Sequence, residues 1–138
     1  MNLFARPALA IGFGAFFLCA ETCLHFESIV SLEWAEIPFH DWIVALVLIY
    51  GAVKSRADWR DGRPYQAVGW ALNASLLVMA FTGHLEELGT QPADDPWIPE
   101  PALVLIIGIM LSIALCGLWS TLRSTTGPAT RPEPPTHA

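Results

Sequence analysis

Long apolar stretches interrupted by short polar clusters set the pattern of this chain. Residues 101–120 (PALVLIIGIMLSIALCGLWS) carry no charge. At about 1.5 Å per residue, a helix of that length rises about 30 Å, the thickness of a bilayer's hydrocarbon core. Residues 64–83 (PYQAVGWALNASLLVMAFTG) form a second uncharged window, made less apolar by Gln66, Asn73 and Ser75. Residues 42–53 (WIVALVLIYGAV) form a shorter one. It reaches spanning length when 37–39 extend one end and Lys54 snorkels from the other. Residues 7–20 (PALAIGFGAFFLCA) form the fourth, and apolar character resumes past Glu21 at Leu24, Phe26, Ile29 and Val30. The pattern predicts an all-α membrane protein, a bundle of four transmembrane helices over about 3–25, 38–54, 64–84 and 100–120, within one domain of residues 1–123.

The first window has an alternative reading. An apolar run behind a lone Arg6 resembles the core of a signal peptide. Its cleavage site would be poor, because Leu18 and Ala20 make a weak small-x-small motif and Leu18 before Cys19 does not suit a lipoprotein. A retained helix is the expectation. Residues 124–138 (STTGPATRPEPPTHA) are rich in Pro and Thr without an apolar period, and are expected to be a disordered cytoplasmic tail.

Charge gives the pattern a direction. The chain has 7 basic residues. With four spans, Arg6, Lys54, Arg56, Arg60, Arg63, Arg123 and Arg131 all fall on one side. Positive charge is retained in the cytoplasm, so both termini are expected there, in a bacterial inner membrane. Most acidic residues gather on the other side, from Glu21 through Asp41 and again from Glu86 to Glu100. Composition agrees with lipid as the solvent: 54% of residues are apolar and 14% charged, and the mean hydropathy is +0.46. The net charge of −6 and the absence of a basic stripe exclude nucleic acid as an expected partner.

Helices in lipid associate through small residues. Three stripes at four-residue spacing fit that rule: Ala15, Cys19 and Cys23; Ala67, Ala71 and Ser75; Gly108, Ser112 and Cys116. They are expected to face one another inside the bundle. The mid-span amide of Asn73 is expected to hydrogen-bond a neighbouring helix or a twin subunit. Trp42, Trp70, Trp97 and Trp119 are expected at the interfaces, as an aromatic belt. The three cysteines make no disulfide framework and have no zinc-type spacing, so they read as packing residues.

One constellation carries candidate chemistry. His25, His40 and His84 fall at the outer helix ends, each beside carboxylates. Glu21 and His25 are four apart and share a helix face, and Glu21 lies about one turn inside the boundary, where a carboxylate needs a partner. Imidazole with carboxylate is a ligand set for a divalent metal, and two imidazoles suit the axial positions of a haem. His25, His40, His84 and Glu21 are therefore the candidate metal ligands. Against this stands a plainer reading, in which Glu21 pairs with His25, Asp41 caps a helix and the remaining charges are solvated. No catalytic triad, metalloprotease, phosphate-loop or dinucleotide motif occurs. The expected role is a non-enzymatic helix bundle acting with itself or a membrane partner, with metal or haem binding (metal handling, transport or electron transfer) as the alternative.

Overall fold

The computed structural model describes residues 6–32, 34, 37–88 and 99–124. All regular structure among them is helical: α1 (Pro7–Leu24), α2 (Phe26–Val30), α3 (Phe39–Ala57), α4 (Trp59–Glu87) and α5 (Glu100–Arg123). Pro7 opens α1 at a position where its fixed φ suits a helix and its missing N–H costs nothing. In α3, Asp41 in the first turn and Lys54 and Arg56 in the last complement the helix dipole. Pro101, the second residue of α5, likewise sits where its missing N–H costs nothing. The tail expected to be disordered lies, beyond Ser124, outside the described residues.

The segment 54–63, between the second and third expected spans, is the junction of two helices. Only Asp58 between them is extended, and its carboxylate accepts from the backbone N–H of Arg60 (2.8 Å) and of Asp61 (3.4 Å). This N-cap starts α4 at Trp59 and not at Pro64, the first residue of the uncharged window. Pro64 then lies in the second turn. Its ring removes the bond to the Arg60 carbonyl, but both residues are exposed, so that carbonyl is open to solvent.

Antiparallel neighbours build the bundle in the order α1, α3, α4, α5. Trp70 of α4 is its hub. It is fully buried, its ring centroid lies 5.1 Å from that of Phe13 on α1, and it covers Gly117 of α5, where an added Cβ would fall 2.4 Å from the indole. The expected place of Trp70 in an interfacial belt is thus corrected. Ala10, Phe17, Leu48, Leu77, Ile107 and Ala114 extend the core on either side.

Between α3 and α4 the backbones themselves touch. A Cβ on Gly62 would lie 2.0 Å from the N of Ser55, one on Gly51 2.3 Å from the N of Gln66, and one on Gly69 2.4 Å from the Cα of Leu48. Close approach of this kind is what small residues supply in lipid. The seam also buries polar groups. Asn73 donates to the carbonyl of Gly69 (2.8 Å) and, across the seam, to that of Val44 (3.4 Å), so the expected interhelical bond is present. Gln66 and Ser55 are buried without a protein partner.

The three small-residue stripes do not form these contacts. Ala15, Cys19, Cys23, Ala71, Ser75, Ser112 and Cys116 are all exposed, and Ala67 and Gly108 only half-buried. Each helix packs through a different face: Ala10, Phe13, Gly14 and Phe17 on α1; Gly62, Gln66, Gly69, Asn73 and Leu77 on α4; Ile107, Ala114, Gly117 and Thr121 on α5. Large apolar side chains cover the outside of every long helix, including Phe16, Ile43, Val68, Met79, Leu105 and Leu115. A water-facing surface rarely carries so much contiguous apolar area. Three helices, α1, residues 59–86 of α4 and α5, are long and apolar enough to cross a membrane, and the chain is a membrane protein. α3, with Asp41, Lys54 and Arg56 among its 19 residues, is not one of the three.

Candidate functional site

The antiparallel order brings the C-terminal ends of α1 and α4 and the N-terminal ends of α3 and α5 to one end of the bundle. This end holds every histidine of the described residues. At the close of α1, His25 Nδ1 donates at 3.1 Å to the carbonyl of Glu21, which also accepts the backbone N–H of His25 at 3.1 Å. The same nitrogen lies 3.6 Å from the Glu21 carboxylate. At the start of α3, His40 Nε2 lies 3.2 Å from the Asp41 carboxylate, with the imidazole open to solvent and the carboxylate largely covered.

These two pairs belong to one group. The Glu21 carboxylate, half-buried where α1 meets α3, is acted on by the charges of Asp41, His25 and His40. Asp41 is in turn acted on by His40 and His25. The two pairs therefore lie near enough at the α1–α3 junction for their charges to act on one another. The expected pairing of Glu21 with His25 is present, and Asp41 acts as a partner of His40 and not as a side-chain cap.

His84 goes elsewhere. Its Nδ1 lies 2.8 Å from the carboxylate of Glu100, a bond between the last turn of α4 and the first residue of α5. Glu100 was visible in the sequence only as one acid among many at this boundary. Its role follows from the antiparallel pairing of α4 and α5, which sets the end of one helix beside the start of the other. Of the four candidate ligands, Glu21, His25 and His40 thus gather at the α1–α3 junction, and His84 joins α4 to α5. Among the described residues, no group of three His, Cys, Asp or Glu side chains is placed to hold a metal ion. The three cysteines are free and exposed on the outer surface of the bundle.

The opposite end carries the basic residues. Arg63 of α4 donates through Nε to the carbonyl of Thr121 at 2.9 Å and through its guanidinium to that of Leu122. It thereby closes the C-terminus of α5, where a cation also complements the helix dipole. Lys54 lies over the ring of Tyr65 at 4.5 Å and Arg123 over that of Trp119 at 4.0 Å. Tyr50 and Tyr65 meet edge to face at 5.5 Å. Such cation–aromatic pairs suit the level of a membrane interface, where a side chain is partly desolvated. No family model, curated protein or solved structure matches the chain.

Proposed function

We propose that the chain is a four-span protein of a bacterial inner membrane, with both termini in the cytoplasm, that acts as a non-enzymatic bundle with itself or a membrane partner. Support for the fourth span comes from the place of α3. It lies antiparallel between α1 and α4 along its length, and its 19 residues rise about 28 Å. If its two neighbours cross the bilayer, α3 crosses with them, with Lys54 and Arg56 reaching the interface. Support for the orientation comes from the clustering of Lys54, Arg56, Arg60, Arg63 and Arg123 at one end. A reporter fused after Arg60 should read as cytoplasmic, and the opposite reading would overturn the orientation.

The observation that carries the assembly reading is the outward face of the small-residue stripes. Ala71 and Ser75 on α4, and Ser112 and Cys116 on α5, are exposed on the bundle. In lipid such positions allow a further helix to approach closely. In bilayer nanodiscs the protein should run as more than one copy, or with a partner retained from its membrane. Ser112→Leu should shift it toward the single copy. A single unaccompanied chain, unchanged by Ser112→Leu, would remove this reading.

A second reading, binding of a divalent metal or haem, is supported by the neighbouring pairs Glu21–His25 and His40–Asp41 at the α1–α3 junction. Elemental analysis of the purified protein and its absorbance in the haem region test it. An empty result from both, with His25→Ala and His40→Ala leaving the protein's behaviour unchanged, would end it.

A further inference from the structure

The connection between α1 and α3 turns large apolar side chains outward. α2 is a single short helix, and Phe26 and Val30, four apart on one face, both point away from the bundle, 60% and 66% exposed. Leu24 before it and Leu32 after it are exposed as well. Trp34 is 69% exposed and stacks on Phe39, with ring centroids 6.0 Å apart, and Phe39 meets Trp42 edge to face at 5.7 Å. A solvated loop of this length would turn polar side chains outward.

The backbone adds an independent observation. Leu32 follows the C-cap of α2 with φ of 58°. This left-handed position costs about 1 kcal/mol or more for a residue with a side chain, and glycine or asparagine usually holds it. Here a leucine holds it and turns its side chain outward. The turn leaves that side chain 62% exposed, an arrangement that an apolar environment around it would favour.

We propose that the α1–α3 connection lies along the membrane surface, with Leu24, Phe26, Val30, Leu32, Trp34 and Phe39 immersed in the headgroup–acyl boundary of the bilayer. This rests on the reading of α1 and α3 as spans. The occupant follows from continuity: exposed apolar side chains lead from Phe16 and Leu24 of α1, through Phe26, Val30, Leu32 and Trp34, to Phe39 and Ile43 of α3. Trp34, Phe39 and Trp42 then form a belt of amphipathic and apolar rings at the level where such rings concentrate. Glu27 and the Ser31 hydroxyl, which bonds the Glu27 carbonyl at 2.9 Å, supply the polar side. The same placement sets His40, beside Phe39, at headgroup level.

The test places single nitroxide labels in a chain whose Cys19, Cys23 and Cys116 are alanine, reconstituted in phosphatidylcholine–phosphatidylglycerol vesicles. Labels at Phe26→Cys and Leu32→Cys are compared with Arg60→Cys at the basic end and Ser112→Cys at the middle of α5. Collisions with oxygen and with a water-soluble nickel chelate are read for each. Labels at 26 and 32 should favour oxygen and lie about 5–10 Å below the headgroup level, between the two references. Val30→Cys reads the same face if either variant does not fold. Labels at 26 and 32 matching position 60, while 112 stays shielded from the chelate, would overturn the inference alone. Chelate access at 112 as well would overturn the membrane reading beneath it.

Discussion

The two faces of α4 solve the same problem differently. Toward α3 it presents Gly62, Gln66, Gly69 and Asn73, and the two backbones touch. Toward α5 it presents Trp70 and Phe81, which lie over Gly117 and Gly108, and it adds a polar bond at each end, Arg63 to the carbonyls of Thr121 and Leu122 and His84 to Glu100. In lipid there is no water for apolar faces to escape, so packing and hydrogen bonds decide association. The first contact gains from closeness along its length. The second gains from large rings fitted over glycines and from bonds at the helix ends.

That difference makes the two contacts fail differently. The largest loss is expected from Trp70→Ala, because the indole joins α1, α4 and α5. Removing a buried ring of this size costs about 3–5 kcal/mol, and thermal unfolding in mild detergent should show it as a large drop in midpoint. Gly69→Ala comes next. Its added methyl meets the backbone of Leu48, which cannot rotate away, so the cost should reach the upper part of the overpacking range, about 3 kcal/mol. Gly108→Ala makes the matched change on the α5 side. The group it meets is the ring of Phe81 at 3.2 Å, a side chain that can give way, so its loss should be clearly smaller. Equal losses at Gly69 and Gly108 would break the comparison.

Smaller effects sharpen it. Asn73→Leu removes a hydrogen bond across the seam and should cost about 1 kcal/mol. Glu100→Gln weakens the bond to His84 at a partly exposed site, where such pairs contribute about 1 kcal/mol or less. A double-mutant cycle of Glu100→Gln with His84→Ala should give a coupling of that size, and none with Asn73→Leu. Coupling between Glu100 and Asn73 would mean that the two faces of α4 are not independent.

The sequence placed the apolar elements well and their rotation poorly. The windows at 7–20, 42–53, 64–83 and 101–120 each lie inside a helix, because a long run without charge has few other conformations in lipid. The stripe Ala15–Cys19–Cys23 faces outward, as do Ala71, Ser75, Ser112 and Cys116 of the other two, and Gly108 meets a neighbouring helix, under Phe81. Small residues spaced by four were visible on more than one face of each helix, and nothing in their neighbours marked which face was inside. Gly62 lies among charged residues and Gly69 between Val68 and Trp70, so neither belongs to a small-residue stripe. At the candidate site, the Glu21–His25 pair was legible because both residues share one helix face. The grouping with His40 and Asp41, and the departure of His84 to Glu100, depended on which helices are neighbours.

By itself, the sequence determined that this chain is helical, that its helices suit a membrane and that its charges divide between two ends. These are properties of composition along a line, and local hydrogen bonding and lipid enforce them segment by segment. Only the tertiary structure decided which face of each helix packs, that Trp70 is a hub and not an interfacial ring, and which acid each histidine meets. The physical reason is the solvent. In water, polar and apolar faces differ and the period of a helix reveals its inner side. In lipid both sides are apolar, so helix rotation is set by the fit of particular side chains against particular backbones, and that fit exists only once the helices have come together.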